Sequence, residues 1–415
     1  MQGARGSWHR RGRAVSFTPV TVPTPTAADA DPAAGFLPDA SVALLRALSG
    51  PAGIHASLAD TANYRAVFTR DAVMAGAAGL LLGDAAVTAG LVRTLERLQS
   101  LQGPEGQIAS NYELGEGGDV AKVSYGAVVP RVDAATWYLV GVALAARAGA
   151  LDPGAYRASV GATARLLDAL EYNGRDLVYV PAGGNWADEY LTEGYILYDQ
   201  VLRAWGLRLL GGVYAEPSWE EKAERIGRRV AERFWPEEGP DARSDRRHPL
   251  ASFTPIGARD VFDLAAAALL GAGGVAPDLA RRALDYAAEG FLAAGRLPPA
   301  FSPTIEEGDP EWPALRRYHL FAFRNRPHEY HNGGVWPIWL GWLAVALART
   351  GRAGELARLR ALAGEVLARQ PGYAFQEYFH GLTGEPGGTP RMAYSASGLV
   401  FLRLADAPPA RALFA

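Results

Sequence analysis

An alternation between two kinds of helical segment constrains this chain more than any other feature. From residue 40 onward, apolar residues recur at i, i+3, i+4 and i+7 in a series of stretches. Those at 85–101, 155–171, 218–235 and 353–369 carry an Arg/Glu face, as in Glu220-Glu-Lys-Ala-Glu-Arg-Ile-Gly-Arg-Arg229. Those at 71–82, 132–149, 194–212, 259–272 and 332–350 are apolar nearly all round. A helix with one charged face lies outside a core, and one without lies inside it. An outer helix followed by an inner one, repeated about six times, predicts an all-α toroid with a double helical wall. About twelve helices then make one domain over 36–415. Gly and Pro punctuate the gaps, and Gly271-Ala-Gly-Gly274 reads as a helix stop rather than a phosphate loop.

Residues 1–35 break the pattern. Arg5, Arg10, Arg11 and Arg13 stand among Gly and Ser, then comes a Thr/Pro run over 18–26. The composition reads as a flexible segment or surface strap. No apolar stretch follows the arginines, so a secretory leader is not expected, and a cytoplasmic location is.

Composition removes several function classes. The chain has no cysteine, which excludes disulfides, thiolate metal sites and cysteine nucleophiles. A formal net charge of -3 supplies no basic field for nucleic acid or an anionic membrane. No GxSxG elbow, Walker loop or dinucleotide fingerprint occurs.

The loops before the inner segments are rich in Trp, Tyr, Asn, Asp, Glu and His, and in a closed barrel such loops converge at one end. Five clusters stand out: Asn63-Tyr-Arg-Ala-Val-Phe-Thr-Arg-Asp71; Gly106-Gln-Ile-Ala-Ser-Asn-Tyr112 with Val129-Pro-Arg-Val-Asp133; Gly183-Gly-Asn-Trp-Ala-Asp-Glu-Tyr190; His328-Glu-Tyr-His-Asn-Gly-Gly-Val-Trp-Pro337; and Phe375-Gln-Glu-Tyr-Phe-His380. Asp71 and Asp133 head apolar helices, where helix capping competes with a functional reading. Asp188 and Glu189 sit among aromatic rings, which raise a carboxyl pKa by desolvation and suit a general acid. Glu377 lies far along the chain, and two carboxylates on separate loops of one mouth flank a scissile bond. His328 and His331 lack the spacing and the third ligand of a metal site, so neither metal nor cofactor is expected.

Together these motifs resemble the (α/α)6-barrel glycoside hydrolases, especially the alkaline/neutral invertases and bacterial relatives of processing α-glucosidases and mannosylglycerate hydrolases. The matching residues are Phe68-Thr-Arg-Asp71, Val129-Pro-Arg-Val-Asp133 with Trp137, Trp186-Ala-Asp188, Tyr330-His-Asn-Gly-Gly-Val-Trp-Pro337, and Glu377-Tyr-Phe-His-Gly-Leu-Thr-Gly384 with Arg391. The resemblance implies an inverting hydrolase with Asp188 as general acid and Glu377 as general base. It implies sugar contacts from Tyr64, Arg70, Asp71, Gln107, Asn111, Asp133, Trp137, Trp186, Glu189, Tyr330, His331, Asn332, Trp336, Tyr378 and Arg391. Invertases tend to carry Tyr and Asp where Phe379 and His380 stand here, and His where Val335 stands, which points away from sucrose. The expected substrate is a small soluble glycoside, a disaccharide or glycosylated glycerate. Two rival readings are a sugar isomerase using His328, His331 and His380, and a non-catalytic sugar-binding protein.

Overall fold

In the computed structural model the described residues are 36–415, apart from 60, 62, 128, 172, 173, 320 and 321. The segment 1–35 lies outside them. Fourteen helices run through the described chain: α1 (Pro38–Leu48), α2 (Thr69–Leu82), α3 (Ala85–Ser100), α4 (Val132–Arg147), α5 (Arg157–Ala169), α6 (Leu197–Tyr214), α7 (Pro217–Phe234), α8 (Leu264–Gly273), α9 (Pro277–Ala287), α10 (Trp312–Leu315), α11 (Pro337–Arg349), α12 (Ala353–Ala368), α13 (Ala393–Leu404) and α14 (Pro408–Phe414).

The two sequence patterns separate in space as expected. Every residue of α8 is buried, and so is every residue of α4 from Val132 to Ala145. By contrast α7 buries only Ala223, Ile226, Val230 and Phe234, one stripe at helical spacing. The all-apolar helices α2, α4, α6, α8, α11 and α13 each pack on the next, and α13 packs back on α2, closing a ring. The one-faced helices α3, α5, α7, α9 and α12 lie on α2, α4, α6, α8 and α11. The sixth outer position, on α13, is taken by α1 from the start of the described chain.

Helix ends follow local chemistry. Asp84 caps α3 through the N–H groups of Ala86 and Val87, both at 3.0 Å. Gly274 ends α8 in the left-handed conformation, φ 61°, the stop read from the glycine run. The inner helices α6, α8 and α11 begin later than the sequence pattern implies, because apolar residues continue into extended chain. Tyr195–Ile196 pairs with Ser252–Thr254, and Phe262–Asp263 pairs with Phe301–Ser302. Five small sheets of this kind occur among the described residues. Their strands have two to five residues, too few for alternation to be read from sequence.

Short turns join each of α2, α6, α8 and α11 to the outer helix that follows it. Long loops lead from each outer helix to the next inner one. The long loops therefore gather at one end of the ring. Aromatic rings fill the axis beneath them: Trp137, Trp205, Trp339 and Trp342 are fully buried, and Phe414 of α14 packs on Trp205 and Trp342.

Candidate active site

The long-loop end carries both carboxylates singled out by the sequence. Glu377 immediately precedes a two-residue strand, Tyr378–Phe379, and is 3% exposed. Its Oε2 accepts from the Thr389 N–H at 2.8 Å and its Oε1 accepts from the Tyr64 hydroxyl at 2.7 Å. Burial pushes its pKa up, and the Thr389, Tyr64 and Arg324 groups offset this only in part. Arg324 donates to the Tyr64 oxygen at 3.2 Å, to Glu189 Oε2 at 3.2 Å, and lies 4.0 Å from the Tyr330 ring centre.

Asp188 lies across this cluster. Arg131 donates to its Oδ2 at 2.5 Å and to the Asn185 carbonyl at 2.7 Å. The raised pKa expected for Asp188 is not found. Burial pushes its carboxyl up, but the charge and hydrogen bond of Arg131, with His331 and Arg70 nearby, together outweigh burial and hold it below the ordinary carboxylate value. A cavity of about 170 Å³ opens beside it, lined by Arg131, Gly183, Asp188, Arg317, Tyr318 and His319. Buried Tyr330 lies close enough to both Asp188 and Glu377 for each carboxylate to raise its pKa.

Below them lies a charged floor. Arg70 donates to Asp133 Oδ2 at 2.7 Å and stands 3.6 Å from Asp71 Oδ2. Neither aspartate caps its helix, since both lie inside the first turn and the caps are Phe68 and Arg131. Asp71 Oδ2 is buried without a hydrogen-bond partner among the described residues. Burial, against Arg70 and with help from Asp133 and Glu377, pushes its pKa up to about 7. The wall is aromatic: Trp186 packs edge-on against His331 at 5.0 Å and Trp336 at 5.7 Å, and stacks on Phe301 at 5.8 Å. Asn111 exposes an unpartnered buried Oδ1 beside Phe68, at the entry to α2.

Several residues expected to touch sugar do other work. Trp137 is fully buried on the axis and donates to the Tyr198 hydroxyl at 2.7 Å, so it belongs to the core. Asn332 commits its amide to Ile305 N–H, Ile305 O and Asn325 O, bracing two loops. Gln107 accepts from the Glu105 N–H within its own turn. The Arg391 side chain is exposed and hydrogen-bonds nothing among the described residues. Trp336 donates to the Tyr330 carbonyl at 2.9 Å, and Tyr378 packs 5.9 Å from Trp336, both as backing for the wall. The His328 and His380 rings stand 5.9 Å apart, and each makes its hydrogen bonds elsewhere. His331 is held down to about 3 by burial and stays neutral. His328 pairs with Glu306 at 3.2 Å, while His380 Nδ1 accepts from Leu382 and Thr383 N–H groups. Among the described residues no group of three His, Cys, Asp or Glu is arranged to hold a metal.

The structure adds four residues to the candidate site. Arg131 stands inside the Val129–Asp133 motif and Arg324 outside every motif, and the carboxylate partner of each is remote, 57 and 135 residues away. Tyr394 of α13 lies 5.6 Å from the Arg70 guanidinium. Asp199, in the first turn of α6, accepts from Asn185 Nδ2 at 3.2 Å, and burial pushes its pKa well above the ordinary value. Its signal is available in the sequence: like Asp71 and Asp133 it lies in the first turn of an apolar helix.

Comparison with known proteins bears on the fold. A mannosylglycerate hydrolase from Thermus thermophilus, solved with Tris, superposes with a TM-score of 0.64 over 88% of this chain and 99% of its own, at 16% identity. A glycosidase variant superposes at 0.63 over 92% and 98%, also at 16% identity. A bacterial glucoamylase complexed with acarbose superposes at 0.61 over 90% of this chain and 56% of its own, at 14% identity. This is the fold of the (α/α)6-barrel glycoside hydrolases. Within the (α/α)6 barrel, the sequence model of the alkaline and neutral invertase family matches residues 310–404, the stretch that carries Arg324, Tyr330, Trp336 and Glu377. No curated protein matches the chain. No helix of the described (α/α)6 barrel is long and apolar enough to cross a membrane.

Proposed function

We propose that the chain hydrolyses a small soluble glycoside with inversion, with Asp188 delivering a proton to the leaving oxygen and Glu377 taking one from the attacking water. The supporting observation is that these carboxylates, far apart in sequence, both lie at the long-loop end and both act on buried Tyr330, near the Arg70, Asp71 and Asp133 cluster. That cluster offers an unpartnered carboxylate oxygen and suits sugar hydroxyls. The aromatic wall around Trp186 suits apolar sugar faces. The reading includes one catalytic domain over 36–415, a small carbohydrate as substrate with neither nucleic acid nor membrane as partner, and a cytoplasmic location.

The electrostatics favour a second assignment of roles on the same site. Arg131 favours the ionised form of Asp188, and burial favours the protonated form of Glu377. A general acid starts protonated and a general base starts ionised. In the unliganded chain Glu377 thus carries the acid's character and Asp188 the base's. The two assignments separate with a glycosyl fluoride, whose leaving group needs no proton. A panel including sucrose, trehalose, glucosylglycerate and mannosylglycerate first identifies the glycone. On the natural glycoside, Asp188→Asn and Glu377→Gln are each expected to lose roughly two to four orders of magnitude. On the fluoride, Asp188→Asn keeps its rate and Glu377→Gln does not, if the proposed roles hold; the opposite result assigns the acid to Glu377. Proton NMR of the first-formed anomer reads inversion directly, and retention would overturn both assignments.

A further inference from the structure

Three loops meet at the dipeptide Arg324-Asn325. Asn325 is fully buried; its Nδ2 donates to the Glu189 carbonyl at 2.5 Å, and its Oδ1 accepts from the His331 and Asn332 N–H groups at 3.0 and 3.1 Å. It thus binds the loop that carries Asp188 to the loop that carries Tyr330. Arg324 extends the same junction outward. Its Nε and Nη2 both lie 3.2 Å from Glu189 Oε2, and its Nη1 donates to Tyr64, which donates to Glu377. The guanidinium is fixed in plane by Tyr330 beneath it. A guanidinium presents several donors in a rigid fork, so one residue holds Glu189 and Tyr64 together at a fixed angle.

From this geometry we infer that Arg324 is a positioning residue for Glu377, acting through the Tyr64 hydroxyl and anchored by Glu189 beside Asp188. The inference rests on the hydrolase reading for its meaning in turnover, but its physical content does not. Arg324 orients Tyr64 so that its proton points at Glu377 Oε1, because the phenol oxygen accepts from the cation and must donate elsewhere. The same cation favours the ionised form of a carboxylate that burial would keep protonated. The groups facing Glu377 are Tyr64, Arg324, Thr389, Asp71, Tyr330 and Tyr378. Asp71, Tyr330 and Tyr378 contribute no cation, so Arg324 is the charge among them that lowers its pKa.

Carbon-13 labelling of the glutamate carboxyls tests this in the full-length protein. The Glu377 resonance is identified by its loss in Glu377→Gln. In Arg324→Gln its titration midpoint is expected to rise by about one unit. Arg324→Lys, which keeps the charge, should recover at least half of that rise. The acid limb of the kcat/KM profile should move to higher pH by the same amount, because a base with a higher pKa ionises later. An unchanged midpoint in folded Arg324→Gln overturns the inference. If Arg324→Gln fails to fold, Tyr64→Phe cuts the link and leaves the Arg324–Glu189 pair in place; a rise supports the inference and no rise overturns it. If the midpoint moves but no glycoside is hydrolysed by the wild-type chain, the catalytic reading fails and the positioning role stands.

Discussion

At the residue scale, burial sets the behaviour of Asp71, Asp199 and Asp263, three aspartates at inner-helix starts. Asp263 caps α8 through the Ala266 N–H at 3.0 Å, and burial pushes its pKa up to about 7. The folded chain therefore keeps a proton that the unfolded chain loses near pH 4, and stability falls as pH rises from about 4 to about 7. Asp71 acts in the same direction. Carboxyls held low, such as Asp84 and Asp176, finish titrating below that window and do not cancel the slope. Asp263→Asn keeps a capping oxygen and removes the titration. Urea unfolding at pH 5 and pH 8 should then differ less than in the wild type, by an amount bounded at the order of 4 kcal/mol, one unit being about 1.4 kcal/mol. An unaltered difference would mean Asp263 ionises normally in the fold. The residue scale is also where a sequence is least legible. Trp137 carries the same aromatic signal as Trp186, and only its depth in α4 separates core from wall. Arg324 has no local pattern, since its hydrogen-bond partners Tyr64 and Glu189 come from other loops.

At the element scale, the alternation of helix types is fully legible, because the number of buried faces is written in the periodicity. What periodicity cannot express is how closely two inner helices approach. A Cβ on Gly398 of α13 would lie 2.2 Å from the Pro337 carbonyl oxygen, and one on Gly341 of α11 would lie 2.6 Å from the Gly398 carbonyl oxygen. The two helices thus touch backbone to backbone. Gly398→Ala should force them apart at a cost of about 1–3 kcal/mol or more. Gly364 in the outer helix α12 has nothing within 4 Å, so Gly364→Ala should stabilise by about 0.5–1 kcal/mol through helix propensity. Denaturant midpoints check the pair, and a like response from both would contradict the close crossing. The short strands are illegible for a related reason: their partners, such as Phe253 for Tyr195, lie outside any window that a local pattern can span.

At the scale of the whole molecule, the ring has no end helix. Each inner helix is clasped by two others, so losing one exposes two apolar faces. Unfolding should therefore be a single transition, with the fluorescence of the ten tryptophans and far-UV circular dichroism falling together. Phe414→Ala, which uncovers Trp205 and Trp342, should lower stability by about 3–5 kcal/mol without splitting the transition. Separate transitions would mean the helix pairs melt as repeats. The pairing of α1 with α13 also imposes a schedule on synthesis. A ribosome releases α1 long before α13, at about 5–20 residues per second, so Leu44, Leu45 and Leu48 wait for tens of seconds for the surface that covers them. During that interval the nascent chain is an open arc with a sticky first helix, and its yield in the cell should depend on how well chaperones shield that one stripe until translation ends.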